Sequence, residues 1–313
     1  MLTTLKKILA AADKGGYAVG AFNVNNLEIV QAVIETAVEK RSPVIIQTSE
    51  GAIEYAGMPF LIALIRTAAL APVPVVMHLD HGKDLKVIKR AIDSGYTSVM
   101  FDGSLYKYDE NVAKTKKVVG WAKPKGVSVE AEIGAIKGVE DLVSVSEKQA
   151  FFTDPGEAGR FAKATGCDAL AISIGTAHGA YKSKTAPTLD IERLKKIDAA
   201  VKVPIVLHGA SGISAELVAK TKSYCETLED CSRLEGAIGI PDDQILAAIK
   251  HGVRKINIDS DLRIAFTAGL RETIVTDHKA IDPRKLLALS KRLMKEVVAH
   301  KMDLFGSTGK AKK

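Results

Sequence analysis

The chain has 313 residues, which suits one α/β barrel of about 250 residues with insertions better than a string of small domains. Hydrophobic residues make up 47% of it and aromatics only 5%, so the aliphatic core is ample and there is little with which to stack nucleic-acid bases. Basic residues outnumber acidic ones 44 to 37, a formal charge of +7, part of it carried by Lys310, Lys312 and Lys313; this mild surplus, without a dense basic run, fits a small anionic substrate rather than nucleic acid.

Residues 1–7 read as the start of an amphipathic helix and lack the apolar centre and cleavage site of a signal peptide. No apolar stretch approaches the roughly 20 residues of a membrane span. Three cysteines in so long a chain indicate a reducing compartment, the cytoplasm. Cys225 and Cys231 match no common zinc spacing. Beyond the N-terminus, short β-rich apolar runs recur at 18–22, 43–48, 74–79, 97–101, 127–131, 169–174, 203–207 and 255–258. Runs this apolar suit strands covered on both faces, as in a parallel sheet.

Helical period separates them. Residues 27–40 place Ile29, Val30, Val33, Ile34, Ala37 and Val38 at spacings of three and four. Segments 83–94, 157–165 and 241–250 stop at or near Gly95, Gly166 and Gly252, and 111–123 stops at Pro124. Residues 190–200 precede the seventh run, and 282–300 would close the fold. Eight such alternations predict a (β/α)8 TIM barrel, one catalytic domain over 1–313, in preference to an open doubly wound sheet. Residues 134–155 read as a mobile active-site loop, 214–239 as helical but charged, and 306–313 as a frayed tail.

In such a barrel the chemistry sits at the C-terminal ends of the strands. The residues that follow the runs are Asn23, Ser49 and Glu50, Asp80 and His81, Asp102, Glu130 and Glu132, His178, His208 and the stretch 257–260. Three of only seven histidines fall there. Imidazoles from three strands, His81, His178 and His208, with one open position form the donor set of a catalytic zinc, although imidazole also suits other transition metals. His78 lies three residues before His81, roughly 10 Å deeper at about 3.3 Å per residue, inside the barrel. Asp102 and Glu132 either bind a second divalent cation or orient the histidines.

A phosphate signal is separate. Gly209, Ala210, Ser211 and Gly212 after the seventh run, and Asn257, Ile258, Asp259 and Ser260 after the eighth, fall where barrel enzymes hold phosphate. Backbone N–H groups near glycine converge on anions and hydroxyls add donors. Lys182 supplies positive charge, and Arg263 and Arg284 are candidates for a second phosphate.

Taken together and in this order, Leu79-Asp80-His81-Gly82, Val129-Glu130-Ala131-Glu132-Ile133-Gly134, His178-Gly179-Ala180-Tyr181-Lys182, His208-Gly209-Ala210-Ser211 and Asn257-Ile258-Asp259-Ser260 resemble the class II fructose-bisphosphate aldolase family. The likeness runs from Gly20 to about Lys285 and is strongest to the shorter subgroup that also contains tagatose-bisphosphate aldolases. It implies reversible cleavage of fructose 1,6-bisphosphate, as in glycolysis and gluconeogenesis, to dihydroxyacetone phosphate and glyceraldehyde 3-phosphate, through an enediolate that zinc stabilises. The tagatose epimer, which differs at one hydroxyl, is the alternative substrate. The resemblance further implies that Gly179, Lys182, Ser211 and 257–260 hold a phosphate, with Asn23, Ser49, Gly209 and Ala210 also lining the substrate. It makes Asp80 the acid–base group for the C4 hydroxyl. Glu140, eight residues past Glu132, would move the proton on the dihydroxyacetone carbon, with Glu147 on the same loop as the alternative. It also implies a homodimer or homotetramer, in which Arg284 reaches a neighbour's site, and a monovalent cation near the phosphate.

Three rivals are open at this stage. A Schiff-base aldolase needs a lysine inside the barrel, for which Lys255 is the candidate, but leaves the histidines unexplained. A zinc hydrolase commonly carries His-x-His on the first strand, where this chain has Asn23 and Asn25. A non-catalytic sugar-phosphate-binding barrel needs no converging metal ligands.

Overall fold

All eight apolar runs become strands. In chain order the elements are α1 (Leu5–Gly15), β1 (Val19–Asn23), α2 (Leu27–Glu39), β2 (Val44–Thr48), α3 (Glu50–Ala56), α4 (Met58–Ala68), β3 (Val75–Gly82), α5 (Leu85–Asp93), β4 (Ser98–Phe101), α6 (Tyr108–Ala122), β5 (Ser128–Ile133), β6 (Lys137–Glu140), β7 (Val143–Val145), α7 (Pro155–Thr165), β8 (Ala169–Ile172), β9 (Ala177–His178), α8 (Ile191–Ala200), β10 (Ile205–Leu207), α9 (Ala215–Ser223), α10 (Asp242–Lys250), β11 (Val253–Ile258), α11 (Ser260–Thr276), α12 (Pro283–Leu286) and α13 (Ala288–Leu304). The computed structural model describes residues 1–140, 143–145, 151–178, 188–210, 212, 214–224 and 239–311, with backbone alone at 137–140, 143–145 and 177–178. Among the described residues, β1, β2, β3, β4, β5, β8, β10 and β11 close in that order into a parallel barrel, and β6, β7 and β9 form a small separate sheet.

The barrel strands are buried along their whole length. Alternation divides their residues between two cores. Val19, Ala21, Ile45, Val76, Met100, Ala169, Ala171 and Val206 pack inside the barrel against Leu5, Ile8, Leu9 and Ala12 of α1. The N-terminal helix is therefore a plug under the barrel floor. Thr4 caps it by accepting from the Lys7 N–H, and Gly16, at φ +64°, ends it. The opposite strand face, with Phe22, Ile46, Val75, Leu79 and Ile172, packs against the outer helices. Two apolar faces explain the unbroken runs in the sequence.

The helical layer differs from the periodicity reading in three places, the first being the pair α3 and α4 between β2 and β3, where that reading marks no helical segment. Helix α11 follows β11 directly, although no helical pattern stands out there. The closing segment is broken at Leu287 into α12 and α13. Helices α11 and α13 cross closely at Gly269, where a Cβ would stand 2.4 Å from the Ser290 nitrogen. The tail, expected to fray, is instead tied down through residue 311. Ser42 and Ser307 share a buried hydrogen bond of 2.8 Å. The N–H groups of Gly309 and Ala311 donate to the Lys40 and Arg41 carbonyls. No helix among the described residues is long and apolar enough to cross a membrane.

Candidate active site

Toward the C-terminal mouth the lumen turns polar. Two-residue spacing puts His78 and Asp80 of β3 on one face, and likewise Glu130 and Glu132 of β5, and Lys255 and Asn257 of β11. The same alternation would send His81 away from Asp80. Instead the pairing of β3 with β4 shifts between Leu79 and Gly82, and His81 adopts φ +46°. A left-handed non-glycine residue costs about 1–3 kcal/mol. That irregularity brings the His81 ring over the mouth beside Asp80. Gly82 completes the turn: a Cβ there would lie 2.6 Å from the Met100 carbonyl oxygen.

Asp80 is buried and clasped by three side-chain amides. The Asn23 and Gln47 NH2 groups donate to Oδ2 at 2.9 and 3.0 Å, and the Asn257 NH2 group donates to Oδ1 at 3.0 Å. Gln47 also donates to Asn23 Oδ1 at 2.7 Å, which fixes the orientation of that amide. Asn23, expected at the substrate, holds Asp80 with one amide N–H, and Gln47 is a residue of this cluster that the sequence reading did not single out.

The His81 and His208 rings stand edge to face, with His81 Nε2 and His208 Nδ1 2.7 Å apart. Each ring holds a carboxylate with its other nitrogen. His81 Nδ1 lies 3.2 Å from Asp102 Oδ2, and His208 Nε2 lies 2.8 Å from Glu130 Oε1. A carboxylate on each outer nitrogen draws the ring N–H outward when a metal ion takes the inner nitrogens, the usual support of a metal-binding histidine; without the ion, the 2.7 Å contact between those nitrogens carries a proton. Zinc–nitrogen bonds of about 2.0–2.1 Å in a tetrahedron set two ligand nitrogens about 3.3 Å apart. The rings would need to part by only about 0.6 Å to fit that geometry.

Charge favours a cation here. Burial works against the His81 imidazolium, but Asp80, then Asp102 and Glu132, raise it to about 10. Burial also pushes the Asp102 carboxyl up, yet the His81 hydrogen bond and charge, with Ser104, outweigh it and hold it well below the usual range. Burial and then the Asp102 charge push Glu132 well above the ordinary value. Its Oε2 has no hydrogen-bond partner among the described residues. Ligand atoms of Asp80, His81 and His208, and of His81, Asp102 and Glu132, form two clusters within 4.8 Å that could hold a metal ion.

One layer deeper, the Lys255 ammonium lies 3.0 Å from Glu130 Oε2 and donates to Asn257 Oδ1 at 2.7 Å. An ion-paired ammonium is a poor Schiff-base nucleophile, so the geometry disfavours that rival. His78 is buried beside Glu130, with Nδ1 2.8 Å from Ser98 Oγ. Burial, then the Lys255 charge, lower its pKa well below the ordinary value.

Comparison with known proteins places the chain in a family. The family model described as "Fructose-bisphosphate aldolase class-II" matches residues 3–310. The chain belongs to the class II fructose-bisphosphate aldolase family. It is 46% identical over 311 residues to a fructose-bisphosphate aldolase of Thermus caldophilus, covering 99% of this chain and 100% of that one. A Helicobacter pylori fructose-bisphosphate aldolase is 42% identical over 312 residues, with 99% and 100% covered. Among solved structures, the YdjI aldolase of Escherichia coli K12 superposes with a TM-score of 0.79 at 33% identity over 100% of both chains.

Several expected aldolase residues can be placed. The His178 backbone lies in β9, paired with Gly138 of β6; its side chain is outside the described residues. Gly179, Lys182, Ser211, Glu147, Cys225 and Cys231 are also outside them. Segment 134–155 contains the β6–β7 hairpin, with Glu140 opposite Val143; the Glu140 side chain is likewise not described. Ser49 accepts from the Ala52 N–H and caps α3. Gly209 has φ +60°, and Ala210 is buried. Ile258 packs into the outer core. Ser260 opens α11, and Asp259 accepts from Arg263 Nε at 2.8 Å. Arg263 lines a cavity of about 490 Å³ with Asn25, Asn26, Tyr55 and Phe266. Arg284 sits exposed on α12, paired with Asp282 at 2.8 Å.

Proposed function

We propose that this chain catalyses the reversible cleavage of fructose 1,6-bisphosphate to dihydroxyacetone phosphate and glyceraldehyde 3-phosphate, with zinc held by His81, His178 and His208. The observation that carries the reading is the pair of imidazole nitrogens 2.7 Å apart in the same mouth as the clasped carboxylate of Asp80. Zinc bound there would supply Lewis-acid polarisation of the substrate carbonyl.

The chain's own residues account for the rest. A carboxylate has about four acceptor positions, and Asp80 uses two on Oδ2 and one on Oδ1. The remaining position on Oδ1 suits the C4 hydroxyl, whose proton Asp80 takes in cleavage and returns in condensation. The three amides hold Asp80 in that attitude before substrate arrives. One phosphate rests on the 209–212 segment and the 257–260 junction of β11 with α11, together with Gly179 and Lys182, helped by the N-terminus of α11. The second occupies the Arg263 cavity near Ser49, with Arg284 reaching the site of a second copy. Glu140 moves the proton on the dihydroxyacetone carbon, and closure of its loop excludes water. Asp102 and Glu132 either orient the histidines or form a second divalent position; the 3.2 Å contact of Asp102 with His81 Nδ1 supports the first. A cytoplasmic homodimer or homotetramer completes the proposal.

Turnover of fructose and tagatose bisphosphates by the zinc-loaded protein, read in a coupled assay, tests it. Faster cleavage of the fructose epimer, abolished by a chelator, is the expected result. Preference for the tagatose epimer would reassign the substrate, and binding of both without turnover would leave a sugar-phosphate-binding barrel. Glu140→Ala should slow exchange of the dihydroxyacetone phosphate proton with solvent; unchanged exchange would point to Glu147.

A further inference from the structure

The ammonium of Lys255 joins the two halves of the site. Lys255 and Asn257 stand two residues apart on β11 and so share the lumen face. Nζ reaches both Glu130 oxygens, at 3.0 and 3.2 Å, and Asn257 Oδ1, at 2.7 Å. A primary amide has one accepting and one donating end. A cation against the accepting end turns the donating end toward Asp80 Oδ1, 3.0 Å away. Glu130, balanced by the same ammonium, holds His208 Nε2 at 2.8 Å. Lys255 and Glu130 are both fully buried. A buried ion pair adds little stability over a well-packed apolar pair, so holding the barrel together is a weak account of it.

We propose that Lys255 is a positioning residue: its buried ammonium fixes the Asn257 amide with NH2 toward Asp80 and neutralises the carboxylate that holds His208. It touches neither substrate nor metal and acts through Asn257 and Glu130. This rests on the aldolase reading, since Asp80 is the group being aimed.

The test uses Glu130→Gln/Lys255→Met, which removes both charges and lets Gln accept from His208. Glu130→Gln/Lys255→Leu is a second variant in case the first does not fold. In whichever folds, kcat for fructose 1,6-bisphosphate cleavage should fall about 10- to 100-fold, the usual effect of losing a supporting partner. KM should stay within about twofold and the zinc dissociation constant within about threefold, and the loss of kcat should shrink severalfold when the same change is made in an Asn257→Ala background, the remainder passing through Glu130. A second readout needs no activity: in zinc-free protein the Asn257 side-chain NH2 resonance, assigned by its loss in Asn257→Ala, should exchange with solvent faster in the variant. A kcat within twofold of wild type, an undiminished effect in the Asn257→Ala background, or unchanged amide exchange overturns the proposal. A wild-type protein without cleavage sinks the aldolase reading instead, and the exchange measurement still decides the role of Lys255.

Discussion

Asp80→Asn tests the acid–base role proposed for Asp80 apart from everything else in the mouth. The change keeps side-chain volume and removes one charge and one acceptor. Asn can still accept from Asn23 and Gln47 with its single oxygen, but its NH2 then faces the NH2 of Asn257, now 3.0 Å from Oδ1. One buried donor loses its acceptor, at about 1–3 kcal/mol, and two bonds to a charged group become neutral, each weaker by about 1 kcal/mol. The fold should survive this with a melting temperature lowered by several degrees. His81 Nε2 and His208 Nδ1 are untouched, so zinc should stay bound, somewhat more weakly because Asp80 is the largest of the favourable charges acting on His81. Loss of a positioned general acid–base lowers rate about 100- to 10,000-fold, or roughly 3–5 kcal/mol of barrier. Bound zinc by metal analysis and kcat by coupled assay are measured on the same preparation. A zinc-replete variant within tenfold of wild-type kcat would refute the role given to Asp80.

Three more outcomes follow from the geometry. His208→Ala removes an inward imidazole nitrogen and strips Glu130 of its 2.8 Å donor; the purified variant should hold substoichiometric zinc and lose cleavage, and full zinc occupancy would contradict the site. Leu9→Ala opens a cavity in the α1 plug, where Leu9 is fully buried, and should cost about 2–5 kcal/mol in denaturant unfolding while KM and zinc affinity hold; a loss below about 1 kcal/mol would mean that the floor collapses to fill the gap. Burial pushes the Cys167 thiol up to about 11, so iodoacetamide at mildly alkaline pH should leave it unlabelled in the folded protein, since the thiolate is the nucleophile; prompt labelling seen by peptide mass mapping would contradict the packing.

The barrel could be read from the chain because strands apolar on both faces, separated by helical period, leave few alternatives. Helix α11 was not legible in the same way: it follows β11 without a turn to mark its start, and no regular apolar stripe stands out in it. The tail reads as frayed because its composition, with Gly306, Ser307 and Gly309, is that of a loose end, while the hydrogen bonds that tie down Ser307, Gly309 and Ala311 come from Ser42, Lys40 and Arg41, far away in the chain.

The sequence by itself determined the parts that depend on order and local spacing: eight strands, the histidines and acids at their ends, and the motifs that mark the family. Tertiary structure alone decided which of those residues meet. The β3–β4 register shift and the positive φ of His81 put two consecutive residues, Asp80 and His81, to work in one mouth, against the alternation that a strand otherwise imposes. Barrel closure brings Gln47, Asn257 and Asn23 onto Asp80 from strands distant in the chain. The same closure turns Lys255 from a candidate nucleophile into the partner of Glu130. Hydrogen bonds across a closed sheet depend on register, stagger and side-chain reach, and none of these is written in the spacing of one strand.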